Sequence, residues 1–297
     1  MAGNLTIDAL LSHGVNRLSG VRPVRDASTH NLDAELILAH VLGRNRTYLK
    51  AHPEHAPTPE QAHQYTALIS RRAAGEPVAY IVGYRDFWTF TLAVNPAVLV
   101  PRPETELLVE RALTLGREGP AAVADLGTGS GAIALALASE RPQWTVTAVD
   151  ISANALSTAR ANAAALGLTR VEFLEGAWFS PLGNRRFHVI ASNPPYVSEG
   201  DAALNDATLQ HEPQIALASG PDGLSAIREI VRAAPDHLER HGWLLLEHGS
   251  DQAPAVTHEL VGRGFGHVRS HRDLADHWRL TEAQWDGDPE GAGAPPP

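Results

Sequence analysis

Between residues 32 and 43, LDAELILAHVLG places apolar side chains at 32, 36, 37, 38, 41 and 42. That spacing is one face of a helix, and Gly43 ends it. Residues 58–76, TPEQAHQYTALISRRAAGE, open with Thr58, Pro59 and Glu60, a cap followed by an acidic first turn, and close at Gly75. No alternating pattern occurs before about residue 80, so residues 1–85 are predicted to form a small helical domain. From 86 to 100, DFWTFTLAVNPAVLV alternates and is rich in aromatic and β-branched residues. It predicts a hairpin linking two domains, with Asn95-Pro96 as its turn. PRPETELLVERALTLG, 101–116, then starts a helix.

From residue 121 short apolar runs alternate with helical patterns. AAVADLG, TVTAVD, RVEFLEG, FHVIAS and GWLLLEHG read as strands, and AIALALASE, SANALSTARANAAALG, GLSAIREIVRAAPDHL and QAPAVTHELVGRG as helices. Two further strands are predicted near 265–271 and 277–281. This alternation is that of a doubly wound α/β domain, placed at 101–284. The remainder, 285–297, ends in GAGAPPP and is expected to be a disordered tail.

Composition narrows the function classes. The 297 residues are 43% hydrophobic and 20% charged, ordinary for a globular chain with room for two domains. No apolar run is long enough to span a membrane, and the start lacks the basic and apolar regions of a secretory signal. Cysteine is absent, which removes disulfides, thiolate metal sites and a cysteine nucleophile, and fits a cytoplasmic location. The fifteen histidines have no metal-ligand spacing, so no metal is expected. The net charge of −10 argues against a broad nucleic-acid footprint. It is unevenly spread: residues 1–85 hold nine Lys/Arg against seven Asp/Glu, and the rest fifteen against twenty-seven.

Three short stretches carry candidate chemistry. DLGTGSGA puts Gly127, Thr128, Gly129, Ser130 and Gly131 on the turn from a strand into a helix. Glycines let the backbone approach a ligand closely, and a helix start offers amide donors. The spacing G-x-G-x-G differs from the dinucleotide fingerprint G-x-G-x-x-G, which disfavours hydride transfer. Asp150 ends the next strand, where a carboxylate can accept from both hydroxyls of a ribose. Its plain alternative is a helix cap, a part that Ser152 fits better. Asn193-Pro194-Pro195-Tyr196 ends the fourth strand. The prolines fix the backbone, so that the Asn193 side chain and the Pro194 carbonyl form two rigid acceptors for an –NH2 group, with the Tyr196 ring as a flat face beside it.

In this order DLGTGSGAIALALA, AVDIS and SNPPY resemble an S-adenosylmethionine-dependent methyltransferase acting on nitrogen. PRPETELLVE, NPPYVSEGD, HEPQIALASGPDGL (211–224) and EHGSDQ (247–252) are similar, more narrowly, to the HemK/PrmC family. The resemblance runs from about residue 30 to 275. It implies methyl transfer from S-adenosyl-L-methionine, giving S-adenosyl-L-homocysteine, to N5 of the glutamine in the Gly-Gly-Gln loop of peptide chain release factors. It also implies that Gly127–Gly131, Asp150 and Trp178 hold the cofactor and that Asn193, Pro194, Pro195 and Tyr196 take the glutamine. Asn193 is expected to touch the cofactor as well, and the helical domain is expected to dock the protein substrate, because a loop tip alone offers little contact area. Asn193, Pro194 and Tyr196 are the implied catalytic group. Two positions depart from the family. An Asp often precedes the Trp, where this chain has Ala177, and the C-terminal pattern reads DLADHWR at 273–279.

Other readings remain open on the residues alone. A ribosomal-protein glutamine methyltransferase would use the same device, and so would an adenine-N6 DNA methyltransferase on a flipped base, although the basic stripe expected for duplex binding is missing. A non-catalytic nucleotide-binding module needs only the glycine turn and Asp150. A serine hydrolase is weaker, because Ser130 lies in TGSGA and not in G-x-S-x-G.

Overall fold

The computed structural model describes residues 5–20 and 29–287. Contacts divide the chain into two units. The first runs to Tyr84 and also gathers Asn205–His211; the second comprises Arg85–Leu204 and the chain from Glu212 onward.

The first unit is helical. It contains α1 (Ile7–Ser19), α2 (His30–Leu42), α3 (Arg46–Ala51), α4 (Pro59–Ala73) and α5 (Val78–Val82). The apolar stripes expected from the sequence meet in one core of Ile7, Leu10, Leu18, Ile37, Leu38, Leu49, Tyr65 and Ile69. Thr58 and Gln61 form a reciprocal capping box at the start of α4, satisfying two amides that the helix leaves unpaired. Inside the unit, Arg72 donates to the Asp33 carboxylate at 2.8 Å, and both side chains are buried. Ala207 packs beside Gly75.

The second unit holds all but the first residue of a two-stranded hairpin, and a seven-stranded sheet. The hairpin consists of β1 (Tyr84–Phe87) and β2 (Phe90–Ala93). Its turn falls at Trp88-Thr89 and not at the expected Asn95-Pro96. Trp88 takes the left-handed conformation, φ 56°, that a tight turn needs. Asn95 instead accepts from the Ala97 amide in a local Asx turn beyond the hairpin.

The sheet contains β3 (Ala122–Leu126), β4 (Thr145–Asp150), β5 (Glu172–Glu175), β6 (Phe187–Ser192), β7 (Leu238–Glu247), β8 (Gly266–Arg272) and β9 (Trp278–Trp285). Its order is β5-β4-β3-β6-β7-β9-β8, parallel from β5 to β7 and antiparallel at β9 and β8. The last strand is longer than expected and takes in Trp285; of the predicted tail, 288–297 lies outside the described residues.

Alternation along the central strands splits the core into two layers, one per face. Val123, Val189, Ala191 and Leu245 face α6 (Glu106–Leu115) and α7 (Ala132–Glu140). Ala124, Leu126, Ile190, Leu244 and Leu246 face α9 (Ser225–His237) and α10 (Ala253–Gly262). Helices on both faces of a mostly parallel sheet make this the doubly wound architecture predicted. The chain winds outward from β3 to β5 and then returns to β6, so the strand order reverses between β3 and β6. Ligands bind in such sheets at the strand ends beside that reversal.

Asn162, on α8 (Ala153–Ala165), ties the edge of this unit together. Its side chain accepts from the Ala93 amide at 2.8 Å and donates to the carbonyls of Ala93 and Ser130 at 3.0 and 2.9 Å. Asn162→Leu keeps the volume and deletes all three bonds. It should lower stability by about 1–3 kcal/mol, read as a fall in urea midpoint with unchanged m-value. An unchanged midpoint would show that the clamp contributes nothing.

Candidate active site

The glycine turn follows β3 directly. Gly127, Gly129 and Gly131 all have positive φ, at 75°, 56° and 88°, a conformation in which a Cβ is strained. The turn folds back over β4: the amides of Gly127 and Thr128 donate to the Val149 carbonyl at 2.8 and 2.9 Å. Gly131 donates to Thr128 at 2.8 Å. The Gly129 amide donates to Asp150 Oδ2 at 2.8 Å, while Asp150 Oδ1 accepts from Ser152 at 2.9 Å. The turn therefore spends these amides internally and is not a cradle for a phosphate. What it offers is a backbone surface free of side chains. Ser152, not Asp150, caps α8 through its hydroxyl, as expected. Burial holds the Asp150 carboxyl above the usual carboxylate range, against the opposite pull of the Ser152 and Gly129 amides. Each of its oxygens keeps a further lone pair for a hydroxyl donor.

Asn193–Tyr196 leaves β6 between two anchors. On one side the Ser192 hydroxyl donates to the Leu126 carbonyl at 2.7 Å. On the other, Val197 bridges to Ala218, exchanging bonds with Leu217 and Ser219 at 2.9 Å each. Between them Asn193 Nδ2 donates to Thr105 Oγ1 at 3.1 Å, and Gln252 Nε2 donates to the Tyr196 carbonyl at 2.9 Å. Two prolines held at both ends form a fixed loop, which is what a rigid acceptor pair requires. Burial, aided by the charge of Glu247, pushes the Tyr196 hydroxyl up to about 12. Tyr196 therefore stays neutral and cannot serve as a base near neutrality.

A cavity of about 320 Å³ connects these parts. Gly127, Thr128, Gly129, Ser130, Asp150, Trp178, Asn193 and Pro195 line it, together with Ala177. Gly131, Pro194 and Tyr196 are not in its lining. Gly131 has a packing role: a Cβ there would lie 3.1 Å from Leu135 and 3.3 Å from Ala159. Trp178, itself at positive φ of 46°, lies against Gly127. One wall comes from the stretch before α6 and another from residues 213–229. The two are joined by Glu212, whose buried carboxylate accepts from Arg102 at 2.6 Å and from the Val100 amide at 3.1 Å.

Several residues that organise the site were not singled out in the sequence. Asp125, fully buried at the end of β3, accepts on Oδ2 from the Thr128 hydroxyl at 2.6 Å and the Ala134 amide at 3.1 Å. Glu247, buried at the end of β7, is hydrogen-bonded to Thr105. In each case the other carboxylate oxygen is buried without a partner. Burial pushes both carboxyls up to about 7. The signal available in sequence was an acidic residue inside an otherwise apolar strand, in AVADL and LLLE. His248 is also buried, bonded through its two ring nitrogens to Gly249 and Thr281, and burial lowers its affinity for protons.

A family profile described as the PrmC N-terminal domain matches residues 9–83, and one described as a methyltransferase small domain matches residues 103–271. Release factor glutamine methyltransferase of Pseudomonas aeruginosa is 49% identical over 260 residues, 88% of this chain and 94% of that protein. The protein of the same name from Escherichia coli is 45% identical over 249 residues, 84% of this chain and 90% of its own. Among solved structures, a methyltransferase from Pyrococcus furiosus shares the fold with a TM-score of 0.52 at 18% identity, over 74% of this chain and 99% of that one.

The two raised carboxyls fix a pH dependence. Between the ordinary carboxylate range and about pH 7, the native protein keeps protons at Asp125 and Glu247 that the unfolded chain has released. Their contribution to stability is therefore complete below that range and is lost as pH rises through 7. Asp125→Asn retains an acceptor for Thr128 and Ala134 but cannot titrate. It should flatten the slope of unfolding free energy between pH 5 and 7 by up to about 1.4 kcal/mol per pH unit. Denaturant titrations at several pH values measure this, and parallel curves for the two proteins would place the titration elsewhere.

Proposed function

This chain belongs to the release factor glutamine methyltransferase family, and we propose that it transfers a methyl group from S-adenosyl-L-methionine to the side-chain N5 of the glutamine in the Gly-Gly-Gln loop of peptide chain release factors. The coproduct is S-adenosyl-L-homocysteine. The observation that carries this reading is the Asn193 amide, held by Thr105 on the wall of the same cavity that the glycine turn and Asp150 line.

The residues present fit the cofactor. Asp150 offers lone pairs to ribose hydroxyls, Gly127–Ser130 give a bare backbone surface, and Trp178 supplies a flat apolar face. When bound, S-adenosyl-L-methionine supplies an electrophilic methyl on a sulfonium that departs as a neutral thioether. An amide nitrogen is a weak nucleophile because its lone pair is shared with its carbonyl. Asn193 Oδ1 and the Pro194 carbonyl accept the two N–H hydrogens of the glutamine, which pushes electron density onto nitrogen and offsets the positive charge that grows there. Pro195 keeps that loop rigid, and Tyr196 packs beside the planar amide as a neutral ring. Alignment in a fixed loop can supply roughly 7–11 kcal/mol of barrier lowering. No base is needed: the surplus proton leaves to water once the new N–C bond has formed.

The protein substrate docks on the helical unit, residues 1–85, because a loop tip alone offers little contact area. The acidic balance of the rest disfavours a direct nucleic-acid partner, and with it the adenine-N6 reading. No helix among the described residues is long and apolar enough to cross a membrane; the reaction is cytoplasmic, where release factors act.

Two experiments test these assignments. Asp150→Ala should weaken calorimetric binding of S-adenosyl-L-methionine by about 1–3 kcal/mol, whereas Asn193→Ala should remove methyl transfer much more than cofactor binding. Near wild-type turnover in the Asn193 variant would sink the two-acceptor mechanism. Removing residues 1–85 should abolish methylation of intact release factor yet hardly change the slow reaction of a short Gly-Gly-Gln peptide. Because residues 205–211 pack in the helical unit, cofactor affinity must be measured alongside. Unchanged methylation of intact release factor after the truncation would assign docking to the catalytic unit.

A further inference from the structure

Asn193 can help the reaction only in one of two orientations. Its side-chain amide has an acceptor end, Oδ1, and a donor end, Nδ2, of nearly equal size. Only Oδ1 facing the glutamine can accept an N–H. In the structure Nδ2 points at Thr105 Oγ1, 3.1 Å away. Thr105 is buried in the turn before α6 and is itself hydrogen-bonded to the buried carboxylate of Glu247 at the end of β7.

We propose that Glu247 and Thr105 are positioning residues that set the polarity of the Asn193 amide. Once ionised, above about pH 7, the Glu247 carboxylate can only accept, so the single hydroxyl proton of Thr105 is committed to it. Thr105 Oγ1 then meets Asn193 with lone pairs, and only the Nδ2 end can answer them. Oδ1 is thereby turned away from Thr105 and is left for the substrate. The carboxylate's charge is transmitted through one hydroxyl to the choice between two ends of an amide. Three elements far apart in sequence meet here: the turn before α6, the end of β6 and the end of β7. Burial of Thr105 and Glu247 keeps water from replacing either partner. This inference rests on the reading of Asn193 as the glutamine acceptor.

The test uses the full-length protein and three variants, all measured above pH 7, where Glu247 is ionised. Thr105→Val deletes the hydroxyl and keeps the shape. Thr105→Ser restores the hydroxyl. Glu247→Gln offers Thr105 either a donor or an acceptor, so the polarity is no longer fixed. With release factor as substrate, Thr105→Val should lower kcat at least tenfold while Kd for S-adenosyl-L-methionine changes less than threefold. Thr105→Ser should recover most of kcat, and Glu247→Gln should fall between them. Full activity in Thr105→Val, an equal loss in Thr105→Ser, or a fall in cofactor affinity matching the fall in kcat would overturn the proposal. A readout free of catalysis is the Asn193 side-chain NH2 signal, identified as the resonance missing from Asn193→Asp. In the wild-type protein one of its two protons should exchange slowly with solvent, and in Glu247→Gln that protection should drop. Rapid exchange of both wild-type protons would also overturn the proposal, even if a variant failed to fold. Absence of methyl transfer by the wild-type protein would refute the substrate reading instead and leave the exchange result to decide the polarity.

Discussion

The site depends on one close approach, that of the glycine turn to the end of β4. The Gly127 and Thr128 amides can share the Val149 carbonyl only because the turn runs through backbone conformations that side chains disfavour. The sheet register makes this approach productive. Leu126 lies level with Val149 on one side and Ser192 on the other, so the next residue along each chain segment emerges on one line. Gly127, Asp150 and Asn193 are those residues. A shift of one residue in either strand pair would turn the strand's side chains to the opposite face and carry the functional groups out of reach. The two buried layers of apolar side chains guard against such a slip.

Two carboxylates reinforce this geometry in the same way. Asp125 binds the Thr128 hydroxyl inside the glycine turn, and Glu247 binds the Thr105 hydroxyl behind Asn193. Each sits at the end of a central strand with one oxygen unpaired, an arrangement that costs stability. The helical unit handles a buried acid differently: Asp33 is matched by Arg72. Among the described residues no cation pairs with Asp125, so its carboxyl is held only by a hydroxyl and an amide. Glu247 has Arg279 and Arg102 in its surroundings, but Glu104 opposes them. Acids left this lightly compensated hold their neighbours strongly, since each is short of donors. The geometry of the site is thus fixed at the expense of the fold.

Much of this was legible along the chain, and what was hidden has a physical pattern. Strands such as TVTAVD and helices such as AIALALASE were readable because burial dictates local periodicity. Gly127, Asp150 and Asn193 were readable because backbone conformation and strand ends leave local marks. The hairpin turn was misread: Asn-Pro is a strong local turn signal, but pairing of Tyr84–Phe87 with Phe90–Ala93 overrode it and forced Trp88 into a conformation that tryptophan seldom takes. The membership of residues 205–211 in the helical unit, and the bonds joining Thr105 to Asn193 and Glu247, carry no local mark at all. They join segments separated by most of a domain, and a threonine beside a proline-glutamate run looks like any helix start.

Ala177 shows how the same electrostatics bears on the departure from the family pattern. The chain around it is held to the end of β4, where the Gly176 amide donates to the Asp150 carbonyl at 3.0 Å. A carboxylate at 177 would add another acid to a cavity that already contains Asp150, with Asp125 close enough for the two to repel. Both are already short of compensating charge. Alanine removes that repulsion and leaves the cavity wall apolar beside Trp178. In the proposed reading, recognition of a purine there would rest on stacking and on backbone groups, which do not titrate, while Asp150 alone would supply the charged contact to the sugar. Cofactor affinity built in this way would depend on the protonation of one carboxyl instead of two.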